Sequence, residues 1–395
     1  MNSHDALRPF TIDVSDDVLV DLSARLARTR WPDAGIGEPW TQGTDLVTLQ
    51  QLCAYWQDGF DWRAAEDSYN QWPQVLTEVD GQPIHLFHVR STHADAVPLV
   101  LLHGWPSVNT EFVELFGPLT DPVAHGGRAE DAFHVVCPSL PGFGWSGPTR
   151  RPGWTPHRIA GALVEVMSRL GYQRFVAQGG DWGAMVASQL GLHFPDRVAA
   201  MHLNMVIAPP PRDVVDPMAG LTDAELAQIA GMRARGGEEM GYQQIQATKP
   251  ASVSAGLNDS PAGLAAWLIE KYRAWGDCHG ELASRFSADT LCSLLTTYWA
   301  TGTIGSANRI YAETRRAGAG ASLPKTNVSV PMGYSRFPAD GFAPPRAWVN
   351  RLYDVRSWVE HDEGGHFPAL EVPSLLIGDL REFFAGYRSC FVRQP

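Results

Sequence analysis

Apolar positions near the start of the chain recur at helical spacing. In residues 15–31, SDDVLVDLSARLARTRW, a serine and acidic residues precede them, which predicts an amphipathic helix ending at Trp31-Pro32. Residues 46–57, LVTLQQLCAYWQ, predict a second helix and residues 62–73 a third, a Trp-rich meander suited to wrapping rather than to chemistry. At Gln74 the pattern changes. QVLTEVDGQPIHLFHVRS alternates about a Gly-containing turn and predicts a β-hairpin. Short apolar runs ending in glycine follow in PLVLLHGWP (98–106), FHVVCPSLPGFGWS (133–146) and RFVAQGGDWG (174–183), and RVAAMHLNMV (197–206) adds another strand. Helical stretches such as 156–170 separate them. Buried strands alternating with helices predict an α/β fold, a mostly parallel sheet with helices on both faces.

That alternation stops over residues 207–325, where Pro-rich linkers and helical segments such as SPAGLAAWLIEKYRAW predict a helical cap inserted into the core. NVSVPMGYSRFP (327–338) and VRSWVEHDEGGHF (355–367) restore strands, and 371–386 predicts a closing helix. The expected organisation is a helical wrapping region (1–73), a first part of the core (74–206), the cap (207–325) and a second part of the core (326–395).

Composition narrows the function. The chain has 395 residues, 44% hydrophobic and 19% charged, with a net charge of −12 and no run of Lys or Arg, which argues against a nucleic-acid surface. Its five cysteines form no CxxC pair, so neither a zinc site nor a disulfide framework is expected. The N-terminus lacks the pattern of a secretory leader, and no stretch approaches the roughly 20 apolar residues of a membrane span. A cytoplasmic protein without a membrane anchor is expected.

GGDWG (179–183) is the most informative stretch. Small residues flanking a central side chain at a strand-to-helix turn make a nucleophile turn, here with Asp181 where a serine would sit. An aspartate capping the helix is the ordinary alternative. Context favours chemistry. HGWP (103–106) follows an earlier strand, where an α/β-hydrolase supplies half of its oxyanion hole, so the N–H groups of Trp105 and Trp182 are candidates for that hole. His103 fits a loop-holding role, and Trp105-Pro106 is a candidate cis bond. His366 in EGGHF is the candidate base. Chain order puts the orienting acid after NVSVPMGY, at Asp340 in FPADGF, with Asp354, Glu360, Asp362 and Glu363 as rivals. PGFGWSG lacks the spacing of a cofactor loop, so no cofactor or metal is expected.

Over nearly its whole length the chain resembles an epoxide hydrolase of the microsomal type. RPFTIDVSDDVLVDLSARLARTRWP resembles that family's N-terminal region, and HGWP, PGFGWS, GGDWG and EGGHF resemble its core. IQATKPASVSAGLNDSPAGLAAWLIEKYRAW and YWATGTIGSANRIYAE resemble its cap. The resemblance implies an α/β-hydrolase fold, Asp181 as nucleophile, His366 as base and Asp340 as the acid, where many members carry Glu. It further implies Tyr242, in GYQQIQ, and Tyr311, in NRIYAE, as holders of the epoxide oxygen; from the residues alone each would pass for core packing.

The implied reaction is hydrolysis of a hydrophobic, often aryl-bearing, epoxide to a vicinal diol through an aspartyl ester, in secondary metabolism or detoxification, with a homodimer as one possible assembly. Two alternatives stay open from the residues. A haloalkane dehalogenase uses the same aspartate with halide leaving, and a catalytically silent binding protein would keep the pocket without needing Asp181, His366 and Asp340 together.

Overall fold

The computed structural model describes residues 6–391. In chain order it runs β1 (Arg8–Phe10), α1 (Asp16–Leu26), α2 (Leu46–Asp58), α3 (Trp62–Asn70), β2 (Gln74–Val79), β3 (Gln82–Val89), β4 (Val97–Leu102), α4 (Val113–Thr120), β5 (Phe133–Pro138), α5 (Pro156–Arg169), β6 (Phe175–Gly179), α6 (Asp181–His193) and β7 (Val198–Leu203). The inserted helices follow: α7 (Asp223–Glu239), α8 (Gly241–Thr248), α9 (Pro250–Asp259), α10 (Pro261–Trp275), α11 (Ala288–Thr301) and α12 (Ile304–Ala317). Then come β8 (Val328–Arg336), α13 (Arg346–Leu352), β9 (Tyr353–Glu360), α14 (Pro368–Glu371) and α15 (Pro373–Ala385).

The strands form one sheet in the order β1-β2-β3-β5-β4-β6-β7-β8-β9. From β5 to β9 every pairing is parallel, and β1, β2 and β3 extend that edge antiparallel. Adjacent residues of the inner strands serve opposite faces. Leu99 and Leu101 pack with Phe116 and Leu380 on one side, while Val100 and Leu102 pack with Leu163 and Val186 on the other. A strand buried on both faces reads as a continuous apolar run, which is why VPLVLL shows no alternation.

Some boundaries differ from the sequence expectation. Three-residue β1 was not anticipated, being too short to show a period. The first helix ends at Leu26, short of Trp31. The expected closing helix, 371–386, is α15 and begins at Pro373, because the proline offers no N–H to continue the short α14 and instead opens a new helix.

The N-terminal helices also touch the cap. Trp56 of α2 donates its indole N–H to Thr296 Oγ1 of α11 at 2.8 Å, and Arg25 of α1 bonds Asp259 at the end of α9. Among the described residues no helix is long and apolar enough to cross a membrane.

Candidate active site

Asp181 opens α6 with φ of 48°, a left-handed conformation unusual for a side-chain-bearing residue. The N-cap is Gly180, so Asp181 is not a capping residue; its side chain reaches instead to the loop after β4. Close backbone approach makes this turn possible. A Cβ on Gly183 would lie 1.9 Å from the Leu102 carbonyl oxygen, and one on Gly104 would lie 2.2 Å from Asp181 Oδ1.

One carboxylate oxygen is committed. Asp181 Oδ1 accepts from the Trp105 N–H at 2.7 Å, and the Trp182 N–H also bonds the carboxylate. The Trp105-Pro106 bond is cis, as HGWP suggested. His103 holds the loop: its Nε2 accepts from the Leu140 N–H at 3.0 Å, and burial lowers its pKa to about 4. The other oxygen, Asp181 Oδ2, faces His366 Nε2 at 3.7 Å. Behind the ring, His366 Nδ1 lies 3.4 Å from Asp340 Oδ1, which also accepts from the Phe342 N–H at 3.1 Å.

The rivals for the acid's place are engaged elsewhere or exposed. Asp354 pairs with Arg356, Glu360 with Arg336 and Glu363 with Arg285, and Asp362 is exposed.

Burial pushes the Asp181 carboxyl upward, opposed by His366 and by the two N–H donors. Burial alone would depress the His366 pKa, but the charge and hydrogen bond of Asp340 and the charge of Asp181 outweigh it and hold the imidazole at about 9. At neutral pH Asp181 therefore faces an imidazolium.

Above Asp181 the cap contributes an aromatic enclosure. Tyr242 of α8 stacks on Trp105 with centroids 4.9 Å apart, and Tyr311 of α12 stands edge-on to Trp182 at 4.7 Å and to Tyr242 at 5.9 Å. Both phenols are pushed upward, first by burial and then by neighbouring charge including Asp181, so both are protonated. The phenols are near enough to affect one another's ionisation, yet the buried Tyr311 hydroxyl makes no hydrogen bond of accepted geometry among the described residues. An orphaned buried hydroxyl is a group that a ligand could satisfy.

From outside, a cavity of about 820 Å³ between the 32–47 loop, α8 and α10 reaches Tyr242 past Trp40, Leu49 and Trp267.

Several contributors carried no sequence signal. Trp275 at the end of α10 packs edge-on to His366 at 5.0 Å, and its carbonyl accepts from the His366 N–H at 3.0 Å. Asp277 accepts from the Gly364 N–H at 2.9 Å. Buried Glu371 accepts from the N–H groups of Asp277 and Phe367 at 2.6 and 2.8 Å. These bonds brace the histidine loop against the cap. Their only trace in the sequence is the acidic content around GGHF, which many solvated loops share.

The chain matches the family model described as "Epoxide hydrolase N terminus" over residues 7–112 and the one described as "alpha/beta hydrolase fold" over 97–243. It is 43% identical to a protein of Stigmatella aurantiaca (strain DW4/3-1), provisionally named an epoxide hydrolase, over 97% of this chain and 86% of that one. Epoxide hydrolase 1 of Sus scrofa is 34% identical over 96% of this chain and 88% of its own length. The structure of Aspergillus niger epoxide hydrolase superposes with a TM-score of 0.85 at 30% identity, covering 97% of both chains. Such agreement, running from the N-terminal helices through the cap to the last helix, means that the chain belongs to the epoxide hydrolase family.

Proposed function

We propose that this chain hydrolyses a hydrophobic, aryl-bearing epoxide to a vicinal diol through an ester on Asp181. Epoxide hydrolysis is the activity of its family; the substrate class and the covalent route are our reading. The observation that carries the route is the division of labour at Asp181, with Oδ1 held by the Trp105 N–H and Oδ2 left facing His366 beneath two protonated phenols.

In the first half-reaction Asp181 Oδ2 attacks an epoxide carbon in line, the ring C–O bond breaks, and the leaving oxygen takes a proton from Tyr242 or Tyr311. Esterification removes the charge of Asp181, one of those holding the His366 pKa up, and the imidazolium gives its proton to the new phenolate. In the second half-reaction, neutral His366 takes a proton from water as the water oxygen bonds Asp181 Cγ. The negative charge then develops on Oδ1, which already accepts from the Trp105 N–H, with the Trp182 N–H as the second donor of the hole. Collapse expels the alkoxide, protonated by His366, and the new carboxylic acid returns its proton to His366. Every proton is accounted for, and both the imidazolium and the phenols are restored.

Asp340 orients and charges the imidazole. The aromatic enclosure of Trp105, Trp182, Tyr242 and Tyr311 favours an aryl group over a polar one.

The test is intact-mass spectrometry of His366→Gln mixed with styrene oxide. The expected result is an adduct heavier by one epoxide, confined to the peptide carrying Asp181. A fully folded variant with no adduct at any time would sink the covalent route.

A further inference from the structure

Glu111 is a half-buried acid that this scheme leaves without a task. It stands in the short turn Asn109–Phe112 that follows the HGWP loop. A small chamber walled by Asp181, His366, Trp105, Ser107 and Glu111 leaves about 20 Å³ for the centre of a water molecule. Roughly 10–15 Å³ suffices for one water, provided it finds two to four polar partners. Asp181, His366, Ser107 and Glu111 are polar walls of such a site, so the chamber suits a single water and excludes an organic substrate.

The chamber also has its own approach. Glu111 and Ser107 line a separate open cleft of about 470 Å³, which runs out between α3 and α11 past Thr110, Tyr69 and Ser293. The cavity at Tyr242 has a different lining, from the 32–47 loop, α8 and α10. Polar side chains continue between cleft and chamber, since Ser107 and Glu111 line both.

We propose that Glu111 seats the water that hydrolyses the Asp181 ester, and that the cleft between α3 and α11 supplies it. The carboxyl oxygen of Glu111 accepts a hydrogen bond from one O–H of that water. His366 Nε2 takes the proton of the other as the water oxygen bonds Asp181 Cγ. Glu111 itself gains and loses no proton. Burial raises its pKa to about 8, against the pull of the Ser107 hydrogen bond, so at neutral pH it is an uncharged acceptor. An uncharged group can orient water without competing with Asp181 for the epoxide carbon. The inference rests on the ester proposed above and adds a residue and a water route to it.

The experiment is a rapid-quench single turnover with styrene oxide, reading the ester fraction by intact mass in the wild type, Glu111→Gln and Glu111→Leu. All three should form the ester within about threefold of one another, because ring opening does not use this water. Ester decay should slow by about tenfold or more in Glu111→Leu, the kinetic equivalent of one hydrogen bond, and by no more than about threefold in Glu111→Gln, which keeps the acceptor oxygen. If the leucine variant does not fold, Ser107→Ala replaces it, with slowing in the same direction expected from the loss of the carboxyl's anchor. Decay at the wild-type rate overturns the proposal, and so does equal slowing of formation and decay, which is the mark of a merely structural role. Absence of any ester in His366→Gln would overturn the covalent route as well, whereas prompt decay in Glu111→Leu overturns only the water seat.

Discussion

The Trp105 N–H donates to Asp181 Oδ1 at 2.7 Å across 76 positions of sequence, while the Trp105 indole N–H donates to Asn308 Oδ1 of α12 at 3.0 Å. One residue thus joins three parts of the site: its backbone holds the carboxylate, its ring carries Tyr242, and its indole anchors the helix bearing Tyr311. The bond restrains rotation of the carboxylate, so in the covalent route proposed above Oδ2 is the oxygen left to attack.

The phenols should act in ring opening only. Tyr242→Phe or Tyr311→Phe is expected to slow ester formation by about 10²-fold, and the double variant by about 10⁴-fold, since an alkoxide then leaves without a proton. Stopped-flow tryptophan fluorescence with styrene oxide measures this. Halide needs no proton, so any activity on a bromoalkane should survive the double change. Equal loss on both substrates would count against the phenols as acids.

Asp340→Asn should leave ester formation nearly intact and slow ester hydrolysis by about 10²-fold or more. The amide can no longer stabilise the imidazolium that forms as water is deprotonated. Single-turnover quench separates the two steps; a variant that loses ester formation alone would reassign Asp340.

Gly183→Ala tests the turn itself. With its Cβ 1.9 Å from the Leu102 carbonyl oxygen, α6 must retreat from β4. A loss of about 3 kcal/mol or more is expected in denaturant unfolding, because backbone on both sides of the contact has no rotamer to relax into. Wild-type stability with full activity would refute this.

The imidazole also links stability to pH. His366 titrates at about 9 when folded against an ordinary 6.5, so between these values the folded chain holds a proton that the unfolded chain releases. Its stabilisation is complete below about pH 6.5 and lost as pH rises through about 9. Glu111, raised to about 8, loses its contribution with the same sign but lower in pH. Between about pH 6.5 and 9, stability to denaturant should fall more steeply in wild type than in His366→Gln. Parallel curves would show that His366 is not charged at rest.

The sequence by itself determined the local parts of this protein. Inner strands announced themselves as apolar runs, and GGDWG and HGWP as turns only glycine permits, because period and steric exclusion act over a few neighbouring residues. Tertiary structure decided what those parts meet. Chain order had already pointed to Asp340; the side-by-side ends of β8 and β9 put it behind the imidazole, 26 positions away, and leave Glu360 paired with Arg336. Tyr242, Tyr311 and Trp275 come from helices whose own pattern marks them as packing residues, and Glu111 looks like any acid in a short turn. Their roles arise from which surfaces press together and how much water is left between them, a property of contacts between distant segments that no local pattern encodes.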